Sequence, residues 1–232
     1  MRSSLAVLAC ACLLVGCGGA PTPAPAALTP APAAPTSAPV SPTLADPTPA
    51  PVSPAPAASP AASGDGLVER LRAGGYVLYL RHTATEATQD APSPDLSDPS
   101  TQRNLSGEGR AQARQIGQAV RRLRIPIGEV LASPYRRTVE TAELAFGKAR
   151  PARELINEVY PGTDDDELAA GLRRLLHRRP AAGANTVLVS HGFNLARATG
   201  LSSAEGDTFV FAPGADAPVA AIGVDDWRSL KE

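Results

Sequence analysis

Past Gly64 the chain alternates between two kinds of apolar pattern. Tyr76-Val77-Leu78-Tyr79-Leu80 is an unbroken apolar run, the signature of a strand covered on both faces. Val130-Leu131-Ala132 and Thr186-Val187-Leu188-Val189 repeat that pattern, and residues 209–211 and 219–224 are candidates for edge strands. Between these runs the apolar positions take helical spacing. A short helix over 64–73 is stopped by Gly74-Gly75. Ser106 caps a helix reaching about Leu123, on which Ala111, Ile116, Ala119, Val120 and Leu123 form one stripe. Pro134 opens a third helix at its favoured first-turn position, ending at Phe146 with Gly147 as its stop. Asp164-Asp165-Asp166-Glu167 begins a fourth that ends in Arg178-Arg179, charges that suit both ends of the helix dipole. A short helix starts at Phe193, and the polar stretch with Pro92, Pro94 and Pro99 reads as a long loop. Strands alternating with helices predict an α/β domain of three layers, α/β/α, around a mostly parallel central sheet.

The first 63 residues follow neither pattern. Fourteen of the 24 prolines lie within 18–63, where 29 of 46 residues are Pro or Ala and only Asp46 is charged. Such a segment buries too little side chain to offset its chain entropy, so it is expected to be a disordered tether of polyproline II character. Fully extended at about 3.1 Å per residue, it would reach roughly 140 Å. Ahead of it, Arg2 and the apolar run over 5–15 have the make-up of a signal peptide, too short for a permanent span. Leu14-Val15-Gly16-Cys17 resembles the lipobox of bacterial lipoproteins, in which the chain is cut before the Cys and the Cys carries lipid. The alternative is an ordinary secretory signal cut nearby, with Cys17 incidental. The expected organisation is a signal peptide over 1–16, a lipidated Cys17 with its tether over 17–63, and one domain over 64–232. Gly18-Gly19 lack the acidic residue that retains lipoproteins at the inner membrane, so the expected location is the cell envelope, at the outer membrane.

Charge and cysteine usage narrow the chemistry. With 22 basic and 23 acidic residues, a net charge of −1 offers no electrostatic case for nucleic acid. Cys10, Cys12 and Cys17 all precede the domain, which excludes a disulfide framework, a thiolate nucleophile and a Cys-based zinc site within it. Ligands of open α/β sheets bind beyond the carboxyl ends of the strands. There the sequence places Arg81-His82, then Ser133 with Arg137 one turn into the next helix, then Ser190-His191. The third histidine, His177, falls on a helix surface. Two His and two Arg at one crevice suggest a phosphoryl site. A guanidinium fork pairs with phosphate oxygens, a neutral imidazole can attack phosphorus, and a second can donate hydrogen bonds to it. With neither a Walker motif nor an acidic metal cluster, the positive charge would come from these side chains, and no cofactor or metal is expected.

Four blocks carry a resemblance to the histidine phosphatase (phosphoglycerate mutase-like) superfamily. Leu80-Arg81-His82-Thr83-Ala84-Thr85 is similar to its R-H-G-x-T signature, and Arg103-Asn104-Leu105-Ser106-Gly107-Glu108-Gly109 to its R-x-L-[ST]-x-x-G block. Ser133-Pro134-Tyr135-Arg136-Arg137-Thr138-Val139-Glu140-Thr141-Ala142 is similar to S-P-x-x-R-x-x-x-T-A, and Ser190-His191-Gly192 to the later S-H-G. The resemblance spans about 75–195 and implies a phosphoglycerate mutase-like fold. It implies His82 as a nucleophile that becomes phosphohistidine, Arg81 and Arg137 as phosphate ligands, and His191 as the stabiliser of the transferring group. Thr85, Arg103 and Asn104 would line the substrate entrance, with Arg136 at the rim or in solvent.

Two departures bear on activity. Thr83 stands where the signature has Gly, adding bulk beside His82. The family's general acid is often a Glu after the S-P-x-x-R helix; Glu158 is the candidate here, with Glu154 and Asp90 as competitors. The expected function is a metal-independent phosphomonoesterase of the cell envelope. Its partners would be a phosphorylated small molecule or envelope component, and the membrane through the N-terminal lipid. The alternative is a binding lipoprotein that keeps the fold and not the reaction.

Overall fold

The computed structural model describes residues 66–157 and 160–231. The elements run α1 (Leu67–Ala73), β1 (Val77–Arg81), α2 (Gly107–Arg122), β2 (Ile127–Ala132), α3 (Arg136–Phe146), β3 (Arg150–Pro151), α4 (Asp165–His177), β4 (Asn185–Ser190), α5 (Gly192–Thr199), β5 (Thr208–Phe211), β6 (Ala220–Ile222) and α6 (Asp226–Ser229), with short 3₁₀ turns at Pro99–Thr101 and Arg153–Leu155. The strands form one sheet in the order β3-β2-β4-β1-β5-β6. Pairing is parallel from β3 to β1, and only β5 runs against the rest.

The strict two-residue alternation of a strand divides the core into two layers. Leu78 and Leu80 of β1, Val130 of β2 and Val187 and Val189 of β4 face one side, where α1, α2, α3 and α6 cover them through Leu71, Ile116, Ala142 and Trp227. Val77, Tyr79, Leu131 and Leu188 face the other, covered by Leu172 and Leu176 of α4 and Leu195 of α5. The fold is the three-layer α/β/α arrangement with a mostly parallel sheet that the periodicity predicts.

Differences lie in the elements with the weakest pattern. Residues 209–211 belong to β5, which is no edge strand: it lies between β1 and β6 and is buried throughout. The edge on the other side is β3, two exposed residues with no apolar signal in the sequence. Strand β2 begins at Ile127, and α3 begins at Arg136 rather than Pro134, its first amide taken up by the Gln102 side chain at 2.8 Å. Ser106 caps α2 as expected, its Oγ accepting from Gly109 N at 3.0 Å.

Gly109 also has a packing duty. A Cβ at this position would overlap the backbone carbonyl of Ala84, so α2 can lie against the loop after β1 only if residue 109 has no side chain. Gly109→Ala is expected to lower stability by about 1–3 kcal/mol, the usual cost of forcing an extra methylene into a packed contact. Comparing urea midpoints of the two proteins checks it; an unchanged midpoint would mean the loop yields freely.

Candidate phosphoryl-transfer site

Parallel register brings the sequence-distant strand ends to one level. Arg81 is opposite Ser190, Ala132 opposite Val189, and the next amides continue the ladder, His82 N donating to Ser190 O at 3.0 Å and Ser133 N to Val189 O at 2.9 Å. His82, Ser133 and His191 therefore emerge side by side. All three are buried.

His82 Nδ1 lies 3.0 Å from its neighbour's carbonyl, Thr83 O. A carbonyl only accepts, so Nδ1 carries the ring proton and Nε2 keeps the lone pair. The two imidazoles meet edge to face, with centroids 5.5 Å apart. His191 Nε2 is 2.9 Å from Ser133 Oγ. Arg137, at the first turn of α3, is 1 % exposed: its Nη1 donates to Asp90 Oδ1 at 2.9 Å and Arg103 O at 3.3 Å, and its guanidinium stacks 4.3 Å from the Tyr135 ring centre. Arg81 Nη1 donates to Ser203 O at 2.6 Å. In this cluster three buried nitrogens have no protein partner among the described residues: Arg81 Nε, Arg137 Nε and His191 Nδ1. Buried donors rarely go unpaired unless a ligand or water completes them.

Both imidazoles are held neutral. Burial, seconded by the nearby Arg137, Arg81 and Arg103 and opposed by the Thr83 carbonyl, pushes His82 down to about 3. Burial, then Arg137, drives His191 well below the ordinary histidine range. A native histidine that refuses a proton which the unfolded chain accepts near 6.5 costs stability as pH falls. The loss begins below about 6.5 and grows until about 3. At pH 4.5, His82 alone is expected to cost roughly 3 kcal/mol. Urea unfolding at pH 7 and 4.5 should therefore show a smaller acid loss in His82→Gln than in the parent.

The remaining expected site residues divide. Arg103 joins the cluster, its backbone N donating to Asp90 Oδ1 at 2.7 Å. Asp90 enters as the buried arginine's partner. Asn104 does not join: its amide donates to Pro99 O and Gln102 O, closing the loop on itself. Thr83 is fully buried, and its hydroxyl and amide both contact Thr141 Oγ1 of α3, which removes its bulk as an obstacle. Arg136 lies at the surface near Glu140 and Glu143, Glu154 is exposed, and His177 pairs on the surface with Asp216 at 3.0 Å. Glu158 and Cys17 lie outside the described residues.

One residue of the cluster went unread in the sequence. Glu205, between α5 and β5, accepts from Thr85 N at 3.1 Å and Thr85 Oγ1 at 2.9 Å. Its Oε1 is 3.7 Å from Arg81 Nη2, 3.8 Å from Arg103 Nη2 and 3.9 Å from His82 Nδ1. It belongs to no sequence block, and only its short spacing before the apolar run of β5 could have drawn attention to it.

Residues 77–162 match the model of the Histidine phosphatase superfamily (branch 1). The matched segment holds Arg81, His82, Arg103 and Arg137; His191 and Glu205 reach the same site from outside it. No curated protein matches the chain. Solved structures similar to it include a mycobacterial glucosyl-3-phosphoglycerate phosphatase (18 % identity, 59 % of this chain and 89 % of that one, TM-score 0.43). Others are a protein histidine phosphatase complexed with tungstate (16 %, 65 % and 98 %, 0.44) and a phosphoserine phosphatase from Entamoeba histolytica (13 %, 58 % and 89 %, 0.43).

Proposed function

We propose that the domain is a metal-independent phosphomonoesterase working through a phosphohistidine at His82. The observation that carries this is the pair of unpaired buried donors, Arg81 Nε and Arg137 Nε, with the unpartnered His191 Nδ1, near a neutral imidazole whose Nε2 lone pair is free. A tetrahedral dianion supplies the acceptors that these donors lack, and Nε2 supplies the nucleophile. Hydrolysis is favoured over transfer to a second substrate because the domain has little chain beyond the fold with which to enclose two substrates.

The purified protein should release phosphate from 4-nitrophenyl phosphate, with vanadate competing for the anion site. Because Arg81 and Arg137 furnish the positive charge, a chelator should leave the rate unchanged. Rate loss on chelation, restored by a divalent ion, would contradict the assignment. With Thr83 tied to Thr141, one of the two features that favoured a catalytically silent binding module loses its weight; the other, the general acid expected at Glu158, lies outside the described residues.

We further propose that the substrate is a phosphorylated small molecule or envelope component and that Cys17 anchors the chain by lipid. On this reading residues 1–16 are the signal peptide, 17–63 the tether and 64–232 the catalytic domain, held at the outer membrane. The lipobox-like run supports this. Cys17→Ser should move the mature protein from membrane to soluble fractions; unchanged membrane recovery would end the lipoprotein reading.

A further inference from the structure

We propose that Glu205 is the proton donor and acceptor of the reaction, a role that rests on the phosphatase reading above. The carboxylate is built into the site rather than lying against it by chance. The loop that carries it is clamped to the end of β1 on both sides. Arg81 Nη1 holds Ser203 O before it, Gly206 N donates to Arg81 O and His82 O after it, and Arg81 N donates to Asp207 O. Gly206 takes φ +86°, a left-handed conformation that lets the chain turn at this point. The side chain is then oriented by Thr85, through its amide and its hydroxyl.

The distances decide what such a carboxylate can do. At 3.7 and 3.8 Å from the Arg81 and Arg103 Nη2 atoms, Oε1 is near both cations and hydrogen-bonded to neither. It flanks the anion site without filling it. A phosphoryl dianion that engages the arginines takes their charge away from Glu205 and sets a negative neighbour beside it, and like charge favours the protonated carboxyl. Asp90, the other carboxylate here, is hydrogen-bonded through Oδ1 to Arg137 and the Arg103 amide and is held as a structural counter-ion.

In the first step the His82 Nε2–P bond forms as the ester P–O bond breaks, and the leaving oxygen takes the Glu205 proton. The alcohol departs, leaving a phosphoimidazolium whose Nδ1–H still faces Thr83 O. In the second step the Glu205 carboxylate takes a proton from water. The water oxygen bonds phosphorus as the P–N bond breaks, returning neutral His82, protonated Glu205 and inorganic phosphate.

Leaving-group dependence tests this. A donor matters for a poor leaving group such as ethanol and little for 4-nitrophenolate, which departs as the anion. In the full-length protein, Glu205→Gln should slow transfer from ethyl phosphate by about 10²–10⁴-fold. Transfer from 4-nitrophenyl phosphate should change less than about tenfold, and one equivalent of nitrophenolate should appear in a burst while phosphohistidine accumulates, because water now lacks its base. That retained burst also reports a folded site. Equal losses on the two esters, or no loss on either, would overturn the role of Glu205 and leave the phosphatase reading standing. A parent protein that turns over neither ester would overturn both.

Discussion

His82→Ala is expected to abolish phosphoryl transfer and to leave no covalent label. In the parent, rapid quenching into alkali after mixing with a phosphate ester should trap a phosphoryl group that resists base, is released by acid and maps to the peptide containing His82. The physical ground is the free lone pair on His82 Nε2. His191 Nε2 is engaged with the Ser133 hydroxyl, and the Thr83 carbonyl fixes the tautomer that leaves His82 Nε2 available. Removing that nitrogen would remove the proposed nucleophile itself, so the expected loss is the whole reaction rather than a share of it. His177→Ala, on the far side of α4 beside Asp216, should behave as the parent. A label on serine, or full turnover by His82→Ala, would return the protein to the binding class.

Arg137→Ala follows with the second largest effect, and it acts on rate and stability together. The guanidinium is the most deeply buried cation of the cluster, and its Nε has no protein partner. Loss of one such donor to a transferring group typically costs 10²–10³-fold in kcat, about 3–4 kcal/mol. The same change strands Asp90, which is itself partly exposed and can recover water, so the added cost in stability is placed at about 2 kcal/mol rather than the full value for a buried pair. Steady-state kinetics read the first term. The rise in melting temperature that the parent should show with inorganic phosphate, and that this variant should lose, reads the binding half of it. Arg137→Lys keeps a charge but not the fork, and should recover stability more than rate. A variant that retains both the rate and the phosphate-induced shift would show that Arg137 is a structural residue.

Much of this site was legible along the chain because strands and helix caps are local. The buried-strand runs ending in Arg81-His82 and Ser190-His191 say where the strands stop, and in a parallel sheet every such end faces the same side. Arg137 was readable for a related reason, since Pro134 and Gly147 bracket a helix whose first turn must begin where β2 ends. Gly109 and Thr83 were visible as motif positions, but their reasons were not. One clears the Ala84 carbonyl, and the other hydrogen-bonds to α3 from 58 residues away.

Two short segments escaped the periodicity for opposite reasons. Strand β3 has two exposed residues and no apolar pattern to detect. The buried run of β5 was visible, but a run of four cannot say which neighbour it pairs with, and its antiparallel place between β1 and β6 had to be seen. That placement is also what delivers Glu205. The sequence by itself determined the fold class, the two histidines and the two arginines, because each follows from a pattern confined to one element. Only the tertiary structure decided that Asn104 closes a loop, that Asp90 holds Arg137, and that a glutamate in an unpatterned turn stands 3.9 Å from His82. Those contacts depend on which strand lies beside β1 and on backbone hydrogen bonds across more than a hundred residues, and no local preference encodes either.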